Sequence, residues 1–251
     1  MFRKTVGPVV LAALVAVLAQ LAFALPAGAG PGGFGQARFA PQQNPFTLKF
    51  GDNVDKTWDG FLRQGANEWN RSKAVNANVV AGKGGARCQI TRGQAEVCDG
   101  QYGNTGWLGL TEIFLQDGEI LGARVLMNDT YFDAGQYNDP DAKRHTMTHE
   151  MGHAYGLPHT NGKAVMNDSG RAIFAFDRVT ANDYQRLAQL YRDTGGRSSS
   201  ADAGSALRGD SFTDDELNAP PPTAAEIGGE EKVENLGDGK TKVTIITTRD
   251  A

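Results

Sequence analysis

The chain has 251 residues, a formal net charge of −4 and a sequence pI of about 5.6, a balance that gives no reason to expect the basic face that nucleic-acid binding requires. Its 32 glycines are nearly twice the roughly 7% share of an average protein, so long loops and short elements are expected.

The N-terminus reads as an export signal. Arg3 and Lys4 precede the apolar run "VGPVVLAALVAVLAQLAFAL", and "AFA" at 22–24 and "AGA" at 27–29 both fit small-x-small cleavage. Residues 1–24 are therefore expected to be removed near position 24 or 29, leaving a secreted protein without a membrane attachment. An uncleaved N-terminal anchor is the alternative, since the run approaches the roughly 20 residues of a spanning helix. Residues 25–45 are Gly/Pro/Gln-rich, a linker composition.

The alternation of Phe46, Leu48 and Phe50 predicts a half-buried strand. In "VDKTWDGFLRQGANEWNRS", Trp58, Leu62, Gly65/Ala66 and Trp69 recur at helical spacing, with Asp55 as the expected N-cap. "NANVV" at 76–80 suggests another strand. Cys88 and Cys98 flank two short alternating runs around Arg92-Gly93. A disulfide across a hairpin is expected in an exported protein, with two free thiols as the alternative. Residues 106–115 and 119–129 form two further strands joined through "QDG". In the second, Ala123, Val125 and Met127 alternate with Arg124, Leu126 and Asn128, so both faces are partly buried.

The loop that follows is acidic. Asp129, Asp133, Asp139 and Asp141 could hold Ca2+ through hard oxygens, although their spacing fits no EF-hand and solvated charge is the alternative. "TANDYQRLAQLYRD" (180–193) reads as a C-terminal helix capped by Thr180 or Asn182, with Tyr184, Leu187, Ala188 and Tyr191 on its inner face. From residue 195 to 251 the polar, Pro/Gly/Ser-rich, acidic composition predicts an unstructured tail. Its last run, "TKVTIITT", has strand propensity with no indication of where it docks.

All four histidines of the chain lie in "HTMTHEMGHAYGLPH", 145–159. His149 and His153 are four apart, which places both on one helix face within reach of one ion. Gly156 can take the positive φ that ends a helix, and Pro158 keeps the helix from resuming. The turn would return His159 as a third ligand. Neutral imidazoles suit zinc at roughly 2.0–2.1 Å, and three protein ligands leave a fourth position for water. His145 lies a turn too early to share that ion and is expected at the surface or behind the ligands. Glu150 stands beside His149 as the candidate general base.

His149, Glu150, His153, Gly156 and His159 complete the pattern H-E-x-x-H-x-x-G-x-x-H. Here the sequence resembles the metzincin metalloproteases, closest to the matrixin branch. "HEMGHAYGLPHT" followed by "AVM" is similar to the matrixin zinc region, and "RVTANDYQRLAQLYR" to its last helix. "GWLGLTEIF" looks like the strand that borders its cleft.

The resemblance spans roughly residues 46–194. It implies an α+β catalytic domain with a small twisted mixed sheet, an active-site helix and a C-terminal helix. It also implies Met166 in a tight turn below the metal, and a substrate pairing antiparallel with the strand around Leu108 and Gly109. No P-R-C-G-x-P-D prosegment is present. Asp168 stands where astacins and serralysins carry tyrosine.

The expected function is a secreted, zinc-dependent endopeptidase. It would hydrolyse protein or peptide substrates with a zinc-bound water and Glu150 as general base. The alternative is an exported zinc-containing binding protein without proteolytic activity.

Overall fold

The computed structural model describes residues 37–40, 45–168, 172–175, 178–192 and 212–249. The expected signal segment, most of the 25–45 linker and residues 193–211 lie outside these. No helix among the described residues is long and apolar enough to cross a membrane.

The fold is α+β. One seven-stranded mixed sheet has the order β2-β1-β3-β5-β4-β7-β6. Strands β1 (Phe46–Asp52), β2 (Val75–Ala81), β3 (Gln94–Gly100) and β5 (Glu119–Asn128) run parallel, and β4 (Trp107–Gln116) lies antiparallel beside β5. In β1, Phe46, Leu48 and Phe50 turn into the core while Lys49 faces solvent, as the alternation required. The β4–β5 turn places Asp117 and Gly118 at φ 51° and 81°, the pair of positive values that suits a tight hairpin.

Helix α1 (Asp59–Trp69) crosses between β1 and β2 and buries Leu62, Gly65, Ala66 and Trp69. Its N-cap is Trp58, not Asp55. The Asp55 carboxylate instead accepts from Thr57 N at 2.7 Å, in the turn before the helix. Helix α3 (Pro140–Ala154) packs on the same side of the sheet, beside α1. A Cβ on Gly65 would meet Met151 Sδ at 2.7 Å, so the bare backbone there lets the two helices approach. Trp69 Nε1 donates to Thr148 O at 3.0 Å and ties them together.

Between β5 and α3 lies the short α2 (Asp129–Phe132), which starts the acidic loop. The loop's carboxylates are used one at a time. Asp129 accepts from Trp58 Nε1, Asp133 from Gln101, and Asp139 caps α3, while Asp141 pairs with Arg144. None of the four belongs to either group that could hold a metal among the described residues. Helix α4 (Ala181–Leu190) begins with a capping box in which Thr180 and Asp183 serve each other's backbone. Leu187 and Tyr191 are buried as expected, but Ala188 is exposed, and Leu190 packs against the core in its stead.

Two further expectations need correction. Cys88 and Cys98 are bonded, Cα to Cα 6.1 Å, but they do not close a hairpin. The Cys98 strand, β3, pairs in parallel with β1 and β5, so the bond pins an irregular loop to the sheet.

The tail is the larger correction. Residues 212–249 form α5 (Asp214–Asn218), α6 (Ala224–Ile227), β6 (Glu231–Gly237) and β7 (Lys240–Thr248). Strand β7 pairs antiparallel along the whole of β4. Composition misleads here because few apolar residues suffice when they alternate. Val243 and Ile245 enter the main core on the α3 side, and Ile246 joins Trp107, Leu110 and Leu126 on the other.

Candidate metal centre

Helix α3 presents the site. Asp139 Oδ1 accepts from Asp141 N and Ala142 N, and Pro140 sits at the first helical position, where its missing N–H costs nothing. The helix ends as the sequence demanded. Gly156 takes φ 96°, its N–H reaches His153 O at 2.7 Å, and Leu157 N reaches Gly152 O at 3.2 Å. These two bonds form a Schellman turn, which satisfies the last carbonyls and reverses the chain. The reversal brings His159 over the helix.

The Nε2 atoms of His149, His153 and His159 converge to 2.9–3.0 Å of one another. Each ring is fixed from behind. His149 Nδ1 lies 2.7 Å from Val165 O, and His153 Nδ1 2.7 Å from Leu157 O. Since a carbonyl only accepts, each Nδ1 carries the proton and each Nε2 offers a lone pair to the common point. His159 Nδ1 faces two carboxylates, Asp168 at 3.4 Å and Glu230 at 3.5 Å. Burial, with help from the neighbouring imidazoles, holds His149 and His153 well below the usual histidine range, so both stay neutral. Three imidazole nitrogens aimed at one point could hold a metal ion.

His145 is not part of this group. It is fully buried rather than at the surface, with its ring centroid 5.4 Å from that of His149. Met166 lies in a tight turn closed by Asn167 N to Ala164 O at 3.1 Å. It is buried directly beneath α3, where a Cβ on Gly152 would collide with its sulfur.

Glu150 is fully buried and points toward the sheet. Thr111 Oγ1 donates to its Oε2 and Thr247 Oγ1 to its Oε1, each at 2.6 Å. Burial, only partly offset by these two hydroxyls, pushes the carboxyl up to about 7. Gly109 lies alongside, and a Cβ there would approach Glu150 Cγ and Oε1 to 2.7 Å.

Leu108 and Gly109, on the strand expected to pair with substrate, belong to β4. An irregularity in the pairing between Trp107 and Gly109 turns Leu108 into the main core, where it is fully buried. The edge of β4 expected to receive a peptide is occupied by β7, with Thr247 opposite Gly109. Thr111, Thr247 and Glu230 escaped the sequence reading. Each is an ordinary strand or loop residue until the sheet order is known.

No protein-family model and no curated protein matches this chain.

Proposed function

We propose that this protein is a secreted zinc endopeptidase of the metzincin kind, nearest to the matrixin branch. The observation that carries the reading is the convergence of three Nε2 lone pairs, each fixed by an engaged Nδ1, beside a buried carboxylate. The complete H-E-x-x-H-x-x-G-x-x-H pattern and the turn containing Met166 favour the same family. The N-terminal segment favours export.

His149, His153 and His159 would hold the ion. Zinc supplies Lewis-acid polarisation of a peptide carbonyl and lowers the pKa of a coordinated water. Glu150 would accept the proton of the attacking water at a carboxylate oxygen and return it to the leaving amine. Val165 O and Leu157 O keep His149 and His153 in the ligating tautomer. Gly109, with no Cβ, lets the Glu150 side chain pack directly against the β4 backbone.

One observation favours the second reading, an exported metal-binding protein without proteolytic activity: both Glu150 oxygens are already engaged. A single experiment separates the two. Wild type and Glu150→Gln are loaded with zinc to equal content and assayed on an unstructured protein. A peptidase loses about 10²-fold or more in the variant. Equal rates, or an inert wild type in every form tested, would support the binding protein.

A further inference from the structure

We propose that the C-terminal hairpin β6–β7 is a built-in inhibitor of this site, seated where an extended peptide substrate has to lie. The proposal rests on the peptidase reading above.

Glu150 is fully buried, and its two oxygens are taken by Thr111 and Thr247. A base in that state cannot receive a proton from water. Thr111 belongs to β4, in the middle of the domain, whereas Thr247 belongs to the last strand of the chain. The partner that can leave is therefore β7.

The backbone of β7 also takes the substrate's place. A peptide presented to the metal group must lie extended beside Glu150, and the nearest strand is β4 at Gly109. Strand β7 runs antiparallel along β4 from Lys240 opposite Gln116 to Thr248 opposite Trp107. This is the pairing by which an added peptide strand binds a sheet edge. With β7 removed, β4 becomes that edge.

Docking is anchored at the metal group itself. Glu230, which leads into β6, sets its carboxylate 3.5 Å from His159 Nδ1, with Asp168 beside it. The covering segment further encloses the ion pair Glu112–Arg124, with Lys242 of β7 at 3.7 Å from Glu112 and Arg124 donating to Ala219 O. A face meant to stay covered gains little from buried ions over apolar residues, whereas a face that is sometimes uncovered can hydrate them. Because the hairpin is in the same chain, it competes with substrate as an intramolecular ligand.

The test uses the full-length, zinc-loaded chain and a quenched fluorescent peptide. Ile246→Asp puts a charge into the buried contact of β7 with Trp107, Leu110 and Leu126, away from Glu150. It should cleave at least tenfold faster than wild type, and adding Glu150→Gln should abolish the gain. A folded, zinc-loaded Ile246→Asp that cleaves no faster than an active wild type overturns the proposal alone. Inactivity of both forms overturns the peptidase reading and the proposal with it.

Should Ile246→Asp not fold, Ile246→Ala is judged by the same criterion. Hydrogen exchange of the wild type gives a second reading. A saturating peptide hydroxamate should speed exchange of the 243–248 amides at least tenfold. Unchanged protection with the hydroxamate bound overturns the proposal.

Discussion

Replacing Gly156 by alanine tests whether the turn at the end of α3 is what delivers His159. The residue sits at φ 96°, and a Cβ there would collide with the carbonyl oxygen of Ala37. The left-handed conformation alone costs an L-residue roughly 1–2 kcal/mol. Forcing the segment around Ala37 aside adds roughly 1–3 kcal/mol, the usual range for overpacking. Gly162→Ala separates the two contributions. Gly162 has φ 88° but nothing within 4 Å of its would-be Cβ, so only the conformational part applies.

Gly156→Ala should therefore lose about 2–5 kcal/mol, and Gly162→Ala about 1–2 kcal/mol. At roughly 2–4 °C per kcal/mol for a domain of this size, Tm should fall by about 5–15 °C in the first variant and less than half as far in the second. The affinity for zinc, measured by chelator competition, should drop at least about tenfold in Gly156→Ala, because His159 loses its position. Equal Tm for the two variants would refute the clash argument. Wild-type zinc affinity in Gly156→Ala would refute the claim that this turn places the third ligand.

Replacing both Cys88 and Cys98 by serine should cost about 3 kcal/mol on the chain-entropy model for a separation of 10 residues, read as a shift in the urea midpoint. His145→Ala should cost stability, on the order of 2 kcal/mol for a buried ring, yet keep full zinc stoichiometry by metal analysis. Burial, and the carboxyl of Asp99 beside it, push Asp129 up to about 7 from 3.8. Between these values the folded chain keeps a proton that the unfolded chain releases, so stability should fall as pH rises through that window. Asp129→Asn should flatten that part of the profile, and an unchanged slope of the urea midpoint against pH would show that Asp129 is not its source.

The local sequence was enough for the metal group. His149, Glu150, His153, Gly156 and His159 are close in sequence, and a helix of fixed pitch followed by one glycine turn leaves little freedom in where their side chains go. The same holds for β1, α1, α4 and the disulfide partners, where periodicity or a short loop carries the information. Asp55 and Ala188 were misplaced because capping and the edge of a helix face shift by a residue or two with tertiary packing.

What surrounds the metal group was decided by tertiary structure alone. Strand pairing joins residues far apart in the chain, and alternation fixes which side chains share a face but not which strand lies alongside. The run "TKVTIITT" had strand propensity and no address. Only the sheet order sets it against β4, puts Thr247 on Glu150 and brings Glu230 to His159. The buried Leu108 has the same origin, since a pairing irregularity reverses the face and leaves no mark in a single strand's sequence. A ligand set confined to one helix and its turn can be read from spacing; the occupant of a sheet edge, set by contacts across more than a hundred residues, cannot.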